Sequence, residues 1–143
     1  MQQVFLASDH GGYNAKELAK KVLDKLGISY IDLGTNSAEL SVDYPDFALL
    51  LSEHLKANSD SFGIVACGTG IGISMAANRH AHIRCALCHD ETSARLARQH
   101  NDANVLALGG RMLGPVVIEG IIKAFFSSEF EGGRHERRIK KIS

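Results

Sequence analysis

Short apolar runs alternate with longer amphipathic stretches from one end of the chain to the other, the pattern of βαβ units wound around a parallel sheet. Five apolar runs read as strands, at 3–7, 29–33, 62–66, 83–88 and 104–108. Between the first two, Ala15, Leu18, Ala19, Val22, Leu23 and Leu26 recur at steps of three and four. That spacing predicts a helix with one face on the sheet, its lysines on the exposed face, and an end at Gly27. Pro45 suits the first turn of a helix running to residue 56, and further helices are expected over 72–78, 91–99 and 115–127. The last carries Val116, Val117, Ile118, Ile121, Ile122, Ala124, Phe125 and Phe126, more apolar surface than one sheet face covers. It is therefore expected to pack against a second subunit as well. No repeat or linker breaks the pattern, so the expectation is a single domain over 1–143. Its fold class is α/β, in three α/β/α layers, Rossmann-like, with a five-stranded parallel sheet.

Composition narrows the class. Apolar residues make up 45% and charged residues 22%, with two prolines, which excludes a disordered chain. At 143 residues there is no room for a second substrate domain. Sixteen Lys and Arg balance sixteen Asp and Glu, so no global field would hold the chain to nucleic acid or an anionic membrane, and any basic patch is local. The start, Met1-Gln2-Gln3-Val4-Phe5-Leu6, has neither a basic n-region nor a long apolar run, which points to the cytoplasm. Three cysteines, an odd number, argue for reduced thiols.

In open parallel sheets, ligands bind beyond the carboxyl ends of the strands. Applied to the expected strands, that rule gathers Ser8-Asp9-His10-Gly11-Gly12, Cys67-Gly68-Thr69-Gly70-Ile71-Gly72 and Gly109-Gly110-Arg111 on one rim. In the second segment, three alternate glycines at a helix start turn backbone amides inward as a nest for an anion. The positive end of the helix there favours an anionic sulfur. Spacing weighs equally a buried strand-end cysteine in a tight glycine turn.

Other patterns suggest different chemistry. The glycines with Asp90 invite a dinucleotide reading, but the spacing is G-x-G-x-G, the loop follows the third strand, and no domain remains for a hydride acceptor. Cys85-Ala86-Leu87-Cys88-His89 is formally a haem-attachment string or half a zinc site. On a strand, though, residues three apart face opposite sides, so both cysteines read as packing residues. His80 and His82 lack a third ligand by spacing and read as a solvated helix end. His100-Asn101-Asp102 follows a helix ending near residue 99, where a neutral imidazole can shuttle a proton; exposed histidines at helix ends are also ordinary. Past Gly132-Gly133, a helical turn would put Arg134 and Arg138 on one face beside His135, a grip for a phosphate; a solvated basic tail is the plainer alternative.

Taken together, Ser8-Asp9-His10-Gly11-Gly12, Asp43-Tyr44-Pro45, Cys67-Gly68-Thr69-Gly70-Ile71-Gly72-Ile73-Ser74, the segment from Arg98 to Asn104, and Glu131-Gly132-Gly133-Arg134-His135 resemble ribose-5-phosphate isomerase B and its galactose-6-phosphate isomerase relatives. The resemblance covers essentially the whole chain. It implies a dimer, or a dimer of dimers, with a sugar-phosphate substrate, a site shared across the subunit interface, and no metal or nucleotide cofactor. By the resemblance, Cys67 is the base that moves a proton from C2 to C1. The Gly68, Thr69, Gly70, Ile71 and Gly72 amides hold the cis-enediolate oxygen, with Thr69 assisting. His100 helps open the furanose ring, Asp9, Tyr44 and Asn101 contact sugar oxygens, and His10, Arg111, Arg134, His135 and Arg138 are phosphate candidates. Some members replace the cysteine by glutamate. The galactose-6-phosphate relatives pair two different chains, whereas this chain holds the whole set and is expected to form a homodimer. Open alternatives are a six-carbon phosphate substrate, allose or galactose 6-phosphate, and a non-catalytic phosphosugar-binding module.

Overall fold

The computed structural model describes residues 3–143; Met1 and Gln2 of the amino-terminal segment lie outside the described residues. Strands β1 (Val4–Ser8), β2 (Tyr30–Asp32), β3 (Phe62–Cys67), β4 (Cys85–Leu87) and β5 (Val105–Gly109) form one sheet in the order β2-β1-β3-β5-β4. Every pairing is parallel. The helices are α1 (Tyr13–Leu26), α2 (Tyr44–Ala57), α3 (Ile71–Ala77), α4 (Glu91–Asn101), α5 (Pro115–Phe126) and α6 (Arg134–Ile142).

Alternation along the strands splits the core between two faces. Val4, Leu6, Ile64, Ala66, Leu106 and Leu108 pack with α1, α4 and α5, while Phe5, Ala7, Val65 and Ala107 pack with α2 and α3. The result is a three-layer α/β/α arrangement. Burying each Leu, Ile or Val there contributes roughly 1.5–3 kcal/mol. Among the described residues no helix is long and apolar enough to cross a membrane.

Several local features differ from the expectation. β4 is shorter than expected, and the Asn78 side chain occupies its free edge, accepting from Cys85 N at 2.8 Å and donating to Cys85 O at 2.9 Å. Cys88 lies in the core under α4 and α5, whereas Cys85 packs on the opposite face, so the two thiols diverge. Burial pushes the Cys88 thiol up to about 11, and that of Cys85 further still.

The α5 helix lies between α1 and α4, and these neighbours together with the sheet cover its apolar sides. Only its first turn stays open, with Val116 83% exposed. Lys16, placed by the sequence on the solvated face of α1, is instead 1% exposed. Its ammonium pairs with Asp32 at 2.7 Å and Glu17 at 3.0 Å, tying α1 to β2.

Candidate active site

The sheet order reverses between β1 and β3: from β1 the chain moves outward to β2, then returns past β1 to β3 on its other side. A crevice opens at such a switch point, beyond the carboxyl ends of the two strands. Ser8 ends β1 and Cys67 ends β3, so Asp9 and the Cys67 loop flank it. Asp9 is 7% exposed and its carboxylate accepts Gly12 N–H at 3.0 Å, which fixes the turn entering α1. Gly12 sits against the backbone of Ala66, where a Cβ would fall 2.3 Å from its carbonyl, so this close crossing requires glycine.

Cys67 is buried at the base of its loop, 4% exposed, and its Sγ accepts the Gly70 N–H at 3.2 Å. That contact is made by a left-handed turn at Gly70, with φ 78°, which releases the chain into α3. Thr69 is exposed, and its hydroxyl accepts Ile71 N–H at 3.2 Å. Two of the five amides assigned above to the enediolate, Gly70 and Ile71, are thus already engaged. The Gly68, Thr69 and Gly72 N–H groups have no acceptor among the described residues. The loop is braced from β5, with Gly110 N donating to Cys67 O and Arg111 N to Gly68 O, each at 2.9 Å.

Other side chains close around this loop. A Cβ at Gly11 would lie 3.0 Å from Gly68 N and 3.4 Å from the Arg111 guanidinium carbon, so the bare backbone of Gly11 leaves both open. The Tyr44 ring, at the start of α2, stands over Gly72, where a Cβ would meet it at 2.6 Å. His10 Nδ1 accepts Val42 N–H at 3.2 Å, which fixes the loop before α2 across the rim. The Ser8 hydroxyl, not singled out from the sequence, is buried without a hydrogen-bond partner among the described residues. A hydroxyl at a strand end gives no local signal that sets it apart from a core serine.

The remaining candidates gather elsewhere. α4 continues to Asn101, so His100 and Asn101 belong to its last turn instead of following it. That turn is held by Asp102, in a left-handed conformation with φ 46°, whose carboxylate takes Arg98 at 2.9 Å and Arg84 at 3.2 Å. α6 folds back on α4 and brings His135 against His100, ring centroids 4.3 Å apart and 14° from parallel. Glu131 faces both imidazoles, at 3.9 Å from His100 Nε2 and 3.8 Å from His135 Nε2. Burial of His135, with the charges of His100, Arg134 and Arg138 nearby, holds its imidazole below the ordinary 6.5. His100, Asn101, His135 and Arg138 line a cavity of about 340 Å³.

This second group stands where β5 begins, at the amino-terminal end of the sheet, a strand's length or roughly 16 Å from the Cys67 rim. Within one chain, therefore, Asp9, His10, Tyr44, the Cys67 loop and Arg111 come together, and His100, Asn101, Arg134, His135 and Arg138 come together, but the two groups do not meet. The residues read as alternatives have other tasks. Asp90 caps α4, accepting Ser93 N–H at 2.7 Å, and His82 Nε2 is bound to Ser52 O at 2.8 Å.

Comparison with known proteins gives one consistent answer. A profile of the Ribose/Galactose Isomerase family matches residues 4–142. The ribose-5-phosphate isomerase B of Escherichia coli K12 is 40% identical over 143 residues, covering 100% of this chain and 95% of that protein. The solved structure of ribose-5-phosphate isomerase B from Thermotoga maritima superposes with a TM-score of 0.94 at 49% identity, covering 99% of this chain and 97% of that one. That from Mycoplasma genitalium, with bound ribulose-5-phosphate, gives 0.93 at 44% identity, covering 98% and 93%. With its sequence matched almost end to end and its all-parallel sheet superposed, the chain belongs to the ribose-5-phosphate isomerase B family.

Proposed function

We propose that the chain is an aldose-ketose isomerase that interconverts ribose 5-phosphate and ribulose 5-phosphate through a cis-enediolate, with Cys67 as the base. The observation that carries this reading is the position of the Cys67 sulfur at the carboxyl end of β3, next to the switch point and beside a loop whose Gly68, Thr69 and Gly72 N–H groups lack acceptors among the described residues. A hydrogen on a carbon next to a carbonyl is removed at neutral pH only if charge on the oxygen is stabilised. Preorganised amides supply a few kcal/mol each to that end. Starting from the aldose, the Cys67 sulfur takes the proton from C2, and negative charge moves onto O1 under the free amides. The O2 proton passes to O1, the thiol returns its proton to C1, and the ketose forms with no net gain or loss of atoms.

Ring opening and phosphate capture are assigned to the second group. A second copy docked on the rim would set its His100 beside the opened ring oxygen and its Arg134, His135 and Arg138 at the phosphate. Two features support a shared site in a homodimer. The catalytic set divides between opposite ends of one sheet, and the Cys67 rim carries an exposed apolar collar of Leu40, Ile71, Met75, Met112 and Val116. Phosphate held far from the reacting carbons orients them for proton transfer. The purified chain, assayed with excess chelator on ribose 5-phosphate, allose 6-phosphate and galactose 6-phosphate, tests this reading. The highest kcat/KM is expected on the pentose; a preference for either hexose would move the substrate assignment, and no turnover on any would end it.

A further inference from the structure

Glu131 has no task in the reaction just described, yet it stands between two imidazoles. One ligand atom each from His100, Glu131 and His135 lies within 4.8 Å of the others. Two bonds of about 2.0–2.1 Å to a tetrahedral zinc ion set ligand atoms roughly 3.3 Å apart. The separations of 3.8 and 3.9 Å to Glu131 are close to that value, and the two imidazoles, now stacked 14° from parallel, converge on one ion when one ring turns out of the stack. Glu131 is exposed and free to follow that turn, while its backbone N–H, donating to Gln99 O at 3.0 Å, anchors it to the end of α4. Two imidazoles and one carboxylate leave a fourth position for solvent, the ligand count of an open zinc site.

We propose that His100, Glu131 and His135 form a binding site for a divalent transition-metal ion of the zinc class. The site is distinct from the Cys67 loop, to which the proton transfer is assigned. The Arg134 and Arg138 charges nearby disfavour hard cations held only by charge, such as magnesium or calcium. Imidazole donors select zinc, cobalt or copper instead. Resting on the role proposed for His100, occupation of the site withdraws that imidazole from ring opening, so bound zinc is a reversible inhibitor.

Titration of the chelator-treated protein with zinc by calorimetry, alongside cobalt absorption spectra, tests the site without reference to turnover. One ion per chain is expected, with a cobalt spectrum lacking a thiolate charge-transfer band. Glu131→Gln should weaken binding at least tenfold and leave metal-free activity within about twofold. Equal zinc affinity in Glu131→Gln, or a thiolate band that disappears in Cys67→Ser, would overturn the proposal by placing the ion elsewhere. Zinc that binds as expected and leaves isomerase activity untouched would support the site and count against ring opening by His100, so the two failures are distinguishable.

Discussion

The sulfur of Cys67 and the amide of Gly70 are joined by a 3.2 Å hydrogen bond that closes the turn between β3 and α3. This contact orients the sulfur at the base of the loop whose Gly68, Thr69 and Gly72 amides have no acceptor among the described residues. Cys67→Ser preserves a small polar atom in the same turn but substitutes a far poorer base. We expect kcat to fall by about a hundredfold or more, with unchanged circular dichroism and nearly unchanged phosphate binding. Steady-state kinetics with parallel ligand titration checks this; a kcat within twofold of the parent would remove Cys67 from the mechanism.

Gly70→Ala strains the same turn from the backbone side. The residue sits at φ 78°, and a Cβ there would fall 2.6 Å from Leu87 Cδ1 and 2.9 Å from the Leu108 carbonyl carbon. The left-handed conformation alone costs roughly 1–2 kcal/mol for a residue with a side chain. A lower thermal midpoint together with lower kcat is expected in melting and kinetic measurements, and a variant equal to the parent in both would contradict the geometry.

Arg134→Ala and Arg138→Ala remove charge-assisted donors that stand away from the reacting carbons. Such hydrogen bonds are worth about 1.5–3 kcal/mol, which corresponds to a KM increase of roughly ten- to a hundredfold. Because the loss is shared by ground and transition states, kcat should change little. Kinetics on ribose 5-phosphate reads the split; a large fall in kcat with constant KM would place these residues elsewhere in the reaction.

Asp32 gives the fold a pH limit. Burial alone would raise its carboxyl, but hydrogen bonds from Lys16, Lys20 and the Gly34 amide hold it below the ordinary 3.8. A depressed folded value means that the Lys16–Asp32 link contributes fully above 3.8 and is lost as pH falls through the folded value. Melting curves should therefore show stability dropping below about pH 4, with Asp32→Asn less stable at neutral pH and less sensitive to acid. Identical acid profiles for the two proteins would show that the link contributes nothing.

Much of this was legible before any coordinates. Apolar runs mark the strands because a sheet covered on both faces needs them, and strand ends then place Asp9, Cys67 and Arg111 on one rim by short-range geometry alone. The Lys16 burial was hidden because a lysine on a helix looks solvated until the partner carboxylate, on the next strand, is known. The apolar circumference of α5 is mostly accounted for within the chain, while Val116 and Val117 of its first turn stay exposed. Its flanks are covered by α1 and α4, and lateral helix packing leaves no mark distinct from an interface. The pairing of His100 with His135 and Glu131 depends on α6 folding back onto α4, a long-range contact that residue spacing does not encode. The division of the candidate site between the two ends of the sheet follows from the same fold-back.

That division is the centre of the account, and mixed dimers test it directly. Cys67→Ser and His100→Asn chains, each inactive by itself, are co-expressed so that subunits pair at random. If each site takes Cys67 from one chain and His100 from the other, every mixed dimer keeps one intact site and loses the other entirely. Recovery of about one quarter of parental activity is then expected, half the dimers carrying one of two sites. Activity no greater than that of the separate inactive variants would contradict a site shared between subunits.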